Sequence, residues 1–151
     1  VAEMSDSGSY AENDIVINKA IGYYQPEGSK RWKSNVMGAT LRGSSAGGTF
    51  STIADLKKFG IAIQQNKLMS AKTKAIFHSP QQPVAPGKFY AYGFEVQPAT
   101  GAFAHNGGTQ GAGAWFEMGN DYSLILLMNQ ESKERQIFDM YFLLLDEINK
   151  V

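Results

Sequence analysis

The chain has 151 residues, 14 Lys plus Arg against 14 Asp plus Glu, two histidines and no cysteine. That length suits one domain with its own core rather than two, and the balanced charge leaves no field to gather nucleic acid or an anionic membrane surface. Without cysteine there is no disulfide, no thiolate catalysis and no Cys-ligated zinc, and with two histidines and no carboxylate cluster neither a metal nor another cofactor is expected.

Residues 1–48 are loop-rich. The run "SDSGSYAENDIVINKAIGYYQPEGSKRWKSN" has little periodicity and predicts extended loop with a short strand or two near Ile15–Tyr24. Its aromatic and aliphatic residues between Ile15 and Trp32 argue against disorder. The chain begins at Val1 with neither an initiator Met nor a charged-then-apolar leader, so it reads as cut from something longer. In "TFSTIADLKKFGIAIQQNK", Thr52 and Asp55 have capping-box spacing, and Ile53, Leu56, Phe59 and Ile63 recur on one helical face. A shorter helix is predicted in "MSAKTKAIFHSP", with Ser70 as N-cap and Pro80 closing it. His78 stands at its C-terminal end, where a cation favours the dipole, which gives it a structural rather than a catalytic reading.

The second half of the chain reads as strands followed by a helix. "FYAYGFEVQ" alternates as one strand with Tyr90, Tyr92 and Phe94 on a common face; "GAFAHNG" follows the "PATG" turn; "GAWFEMG" and "DYSLILLMN" form a hairpin about Gly119, Asn120 and Asp121. Trp115 and Phe116 fall on opposite faces. The run Leu124–Met128 does not alternate, which implies cover on both faces of the sheet. "SKERQIFDMYFLLLDEINK" is a helix from Ser132, with Ile137, Tyr141, Leu144, Leu145 and Ile148 on one face and Phe138 and Phe142 beside it. The predicted fold class is α+β: an antiparallel sheet flanked by helices, the C-terminal helix on one face and the two earlier helices beside it. The longest apolar runs, "LILLM" and "FLLL", fall far short of the ~20 residues of a membrane helix, so membrane insertion is not expected.

"HNGGTQGAG" carries the chemistry of interest. His105, Asn106, Gly107, Gly108 and Thr109 lie at the end of a predicted strand, where a backbone stripped of side chains lets a substrate pair edge-on. Backbone N–H groups there could also hold an oxyanion. The plainer alternative is a glycine-rich hairpin loop with a solvated histidine. "GGTQG" does not continue into a phosphate-binding loop. "GSSAG", Gly43 to Gly47, fits a Gly-x-Ser-x-Gly elbow with Ser45 as nucleophile, but an elbow needs a helix directly after the serine, and "GGTFS" intervenes.

Taken in order, "SSAGGTFSTIADLKKF", "YAYGFEV", "FAHNGGTQGAGAWFEM" and "YSLILLMNQ" resemble the second half of the β-lactamase-like serine hydrolases, the group of class C β-lactamases, D-alanyl-D-alanine carboxypeptidases and related esterases. The opening "MSDSGSYAENDIVINKAIGYY" is similar to the stretch after that group's Tyr-x-Asn box, so the resemblance spans nearly the whole chain. It implies a partial β-lactamase/transpeptidase-like fold and a pocket built from three boxes: Ser-x-x-Lys, Tyr-x-Asn, and Lys-Thr-Gly or its variant His-x-Gly. His105, Asn106 and Gly107 match the third box. By resemblance, His105 and the Gly108 N–H are catalytic, the latter as oxyanion donor, and Asn106, Gly107 and Thr109 bind substrate. Histidine in place of lysine departs from the β-lactamase pattern, and an imidazole with no carboxylate beside it is largely neutral near pH 7.

Neither a Ser-x-x-Lys nor a Tyr-x-Asn box occurs in the chain. Residues 1–151 are therefore expected to form a single domain that is the C-terminal part of a larger serine hydrolase, inactive alone. The parent is expected to transfer a peptide, lactam or ester acyl group to water and, by resemblance, to be periplasmic or exported. A second expectation, from another class, is a binding or assembly module in which the strand Tyr122–Asn129 pairs with a second copy as a homo-oligomer or with a partner.

Overall fold

A computed structural model describes residues 2–11, 14–36, 43–130 and 134–148. In chain order the elements are β1 (Tyr23–Tyr24), β2 (Lys33–Ser34), α1 (Ile53–Gln64), α2 (Ala71–Phe77), β3 (Gln82–Ala85), β4 (Lys88–Tyr90), β5 (Glu95–Gln97), β6 (Ala102–Thr109), β7 (Ala112–Met118), β8 (Ser123–Met128) and α3 (Glu134–Ile148). Strands β3 to β8 form one antiparallel six-stranded sheet whose spatial order is their chain order, and β1 pairs with β2.

Alternation along the strands builds two apolar layers. Phe103 lies opposite Met118, and Phe116 opposite Ile125. These residues and Val96 pack against Ile63, with Leu56 and Phe59 of α1 and Phe77 of α2 joining them. The neighbouring residues Ala104 and Trp115 point to the other face, where Tyr141 of α3 packs with Leu124 and Leu126. Both faces of β8 thus meet packed residues, Ile125 on one side and Leu124 and Leu126 on the other, but each stays partly exposed and Leu127 is exposed, so the cover that its unbroken apolar run implied is only partial. The earlier helices α1 and α2 supply the layer on the face opposite α3.

Local chemistry explains the helix ends. The Thr52 hydroxyl accepts from the Asp55 N–H and starts α1; the Ser70 hydroxyl accepts from the Thr73 N–H and starts α2. Gly60, in the middle of α1, sits against β7: a Cβ there would lie 2.5 Å from Met118 Cγ and Sδ. A side chain at this point would have to displace the buried Met118 side chain. Asp55 does not return to cap its own helix. Fully buried, it accepts from the Asp6 N–H at 2.7 Å and the Ser7 hydroxyl at 2.9 Å, and pairs with Lys58 at 2.9 Å, tying the N-terminal segment to α1.

Several expectations are corrected. The stretch Phe89–Gln97 is not one strand: Gly93 takes φ +89°, the Ala91 N–H meets the Phe94 carbonyl at 2.7 Å, and the chain folds back as the β4–β5 hairpin. Tyr90, Tyr92 and Phe94 consequently do not share a face; Phe94 is core and Tyr92 is exposed. β3 had no sequence forecast, because "QPVA" contains a proline and little alternation. In the loop-rich segment, Ile15 and Ile17 are 98% and 85% exposed, and among the described residues the strands there are Tyr23–Tyr24 and Lys33–Ser34. On α3, Tyr141 is buried at 1% exposure, whereas Leu144 and Phe142 are about half exposed. The expected cap Ser132 lies outside the described residues. No helix among the described residues is long and apolar enough to cross a membrane.

Candidate active site

The geometry of the β6 edge follows from strand lengths. β6 runs for eight residues, but β5 pairs only with its first three, Ala102, Phe103 and Ala104. From His105 to Thr109 one side of β6 pairs with β7 and the other side has no β5 partner. All five of these residues are exposed.

The direction of the backbone groups along that edge is set by the turn. Only Gln110 and Gly111 separate the paired residues Thr109 and Ala112, so the ladder closes with a mutual hydrogen-bonded pair there. Gly111 takes φ +79° to make the turn. Antiparallel ladders alternate, so Gly108, opposite Gly113, turns its N–H and C=O away from β7 towards the free edge, and Asn106 does the same. Ala104, next in this alternation, is where β5 takes up the pairing. A Cβ built on Gly107 would meet nothing within 4 Å, and Gly107 does not need a positive φ. Its bareness therefore serves no packing need within the described residues.

His105 is held by two contacts. Its Nε2 lies 3.1 Å from the Tyr90 hydroxyl, and its Nδ1 contacts the Asn106 carbonyl. The Tyr90 and His105 rings meet edge-on, with centroids 6.0 Å apart. His78 is differently placed. It caps α2 with its ring 4.7 Å from that of Phe103, and burial, then the nearby Lys74 charge, push its pKa down. It is a neutral packing group, not the dipole-facing cation that its position suggested. Ser45 lies in a tight turn closed by hydrogen bonds between Ser44 and Gly47, and α1 begins only at Ile53. That is not the strand-turn-helix of a nucleophile elbow.

Two supports of the site had no sequence forecast. The first is a strap across the tip of the β6–β7 hairpin: Asn35 accepts from the Gly22 N–H at 3.1 Å and donates to the Gln110 carbonyl at 3.0 Å. Asn129 donates to the Ile21 carbonyl at 3.1 Å, and its own carbonyl accepts from the Tyr23 N–H at 2.9 Å. The crossing is close enough that a Cβ on Gly22 would sit 2.4 Å from the Gly111 oxygen. The second support is Glu117 of β7, fully buried and directly opposite Ala104. One of its oxygens accepts from Tyr122 at 2.6 Å and the other from Tyr141 of α3. Burial, then Glu117, push both phenol pKa values up.

Known proteins share this arrangement of strands and helices. The model of the Beta-lactamase family matches residues 2–146. A penicillin binding protein from Bacillus halodurans has a similar structure: TM-score 0.84, 22% identity, over 95% of this chain and 45% of that one. FmtA from Staphylococcus aureus is similar with TM-score 0.62 and 24% identity, over 88% of this chain and 37% of that one. The chain thus spans less than half the length of either solved structure. No curated protein matches it.

Proposed function

The chain belongs to the β-lactamase family, and from that premise we propose that it is the substrate-aligning part of a serine acyl hydrolase whose nucleophile lies on an upstream segment. The observation that carries this reading is the free edge of β6 from His105 to Thr109, with the Gly108 N–H and C=O turned to it. An extended acyl donor can lie along that edge as an added strand. When a serine attacks the acyl carbonyl, the oxygen gains negative charge, and a fixed N–H such as that of Gly108 stabilises it more than the ground-state carbonyl. Loss of one such donor typically costs about 10²–10³ in rate. Gly107 keeps the approach open, Asn106 and Thr109 flank the bound chain, and His105 sits at its end. The substrate on this reading is a peptide, lactam or ester.

Fluorophosphonate treatment followed by intact mass tests this. The 151-residue chain alone stays unlabelled, and labelling appears on the upstream serine once a half carrying Ser-x-x-Lys is co-folded with it. A single adduct on Ser45 would overturn the reading.

A second reading rests on the outer edge of β8. Beyond the strap contact at Asn129, no described strand pairs with it, and Leu127 on β8 and Met140 and Leu143 on α3 are exposed. Such an edge favours pairing with another strand, from a second copy or from the upstream half. A mass that rises with concentration supports self-pairing; a monodisperse monomer counts against it.

A further inference from the structure

We infer that Tyr90 is a positioning residue for His105, fixing the neutral imidazole as the Nδ1–H tautomer at the start of the free edge. The inference rests on the reading of that edge as a substrate site. A carbonyl oxygen can only accept, so the contact between His105 Nδ1 and the Asn106 carbonyl places the proton on Nδ1. Nε2 of the neutral ring is then an acceptor, and the Tyr90 hydroxyl, 3.1 Å away, donates to it.

The position of Tyr90 suits this role. It is the last residue of β4, paired with Glu95 at the first position of β5, just where the sheet stops covering β6. The chain turns away through Ala91–Phe94, and the Tyr90 side chain spans the step that remains. With both ring nitrogens engaged, His105 meets a substrate as one half of a hydrogen-bonded Tyr–His pair. Asn106, whose carbonyl holds Nδ1, has its backbone turned to the same edge, so the ring's orientation and the first residue of that edge are coupled.

The test uses the 151-residue chain labelled with ¹⁵N-histidine and long-range proton–nitrogen spectra at about pH 8, where an ordinary imidazole is neutral. The chain has two histidines, and His78→Gln assigns them. The expected result is a protonated Nδ1 and an unprotonated Nε2 for His105, with loss of that bias in Tyr90→Phe and no change in Tyr92→Phe. A wild-type His105 protonated on Nε2 overturns the inference, even if Tyr90→Phe fails to fold; so does a folded Tyr90→Phe with an unchanged tautomer. No active serine enters this measurement, so its failure is distinct from that of the hydrolase reading, which the fluorophosphonate experiment decides.

Discussion

Tyr141→Phe deletes a single oxygen, but its position makes the loss large. Glu117 is fully buried, and Tyr141, itself 1% exposed, donates to one of its two carboxyl oxygens. The phenylalanine ring keeps the packing against Trp115, so no cavity opens and the cost is that of a buried acceptor left without its donor, about 1–3 kcal/mol. Taking ~2 kcal/mol, and about 2–4 °C per kcal/mol for a chain of this size, the midpoint should fall by about 4–8 °C. Urea and thermal unfolding followed by circular dichroism measure both quantities. Tyr122→Phe, at a half-buried site that water can reach, should cost less, and the double variant should depart from additivity because the two hydroxyls share Glu117. A loss below about 0.5 kcal/mol in Tyr141→Phe, the range of an ordinary surface change, would refute a stabilising role for the Tyr141–Glu117 hydrogen bond.

Other outcomes follow from the same structure. The Tyr122 and Tyr141 phenols have raised pKa values, so their contribution is complete below about pH 10, the unfolded value, and is lost as pH rises further; alkaline unfolding should be shallower in Tyr141→Phe. Asp55 has a lowered pKa, chiefly from Lys58, so its contribution is present above about pH 4 and is lost as pH falls through the folded value. Asp55→Asn should flatten that acid limb and speed amide exchange at Asp6, whose N–H it holds. Asn35→Ala should cost about 1–2 kcal/mol for its two hydrogen bonds and raise exchange at the hairpin tip. Gly107→Ala should leave stability within about 0.5 kcal/mol while lowering labelling of the co-folded upstream serine; a large stability loss would show that the glycine serves the fold instead.

Much of this architecture was legible because the relevant signals are local. The caps Thr52 and Ser70, the alternation of Trp115 and Phe116, and the two-sided packing of β8 each depend on a few neighbouring residues and a period. The β4–β5 hairpin was missed because Tyr90, Tyr92 and Phe94 alternate well enough to hide the turn at Gly93, where the positive φ decides the matter. Glu117 was missed because an acid between Phe116 and Met118 reads as a solvent-facing strand residue until Tyr122, just before β8, and Tyr141 of α3 are brought to it. The motif at His105–Thr109 was visible as glycine at a strand end, but the unpaired side of β6 depends on where β5 stops, which no local pattern encodes.

Sheet order also bears on how the chain folds. Each of the strands β3 to β8 pairs with its neighbours in the chain, so every ladder closes a short loop, and such topologies fold quickly for their size. The strap is the opposite case: Asn129 and Ile21 are 108 residues apart, and a loop of that length carries a larger closure entropy. The hairpin bearing His105 and Gly108 should therefore form early and remain loose at its tip until Ile21–Tyr23 arrives. The last event of folding would then be the one that sets the free edge of β6 in its final place.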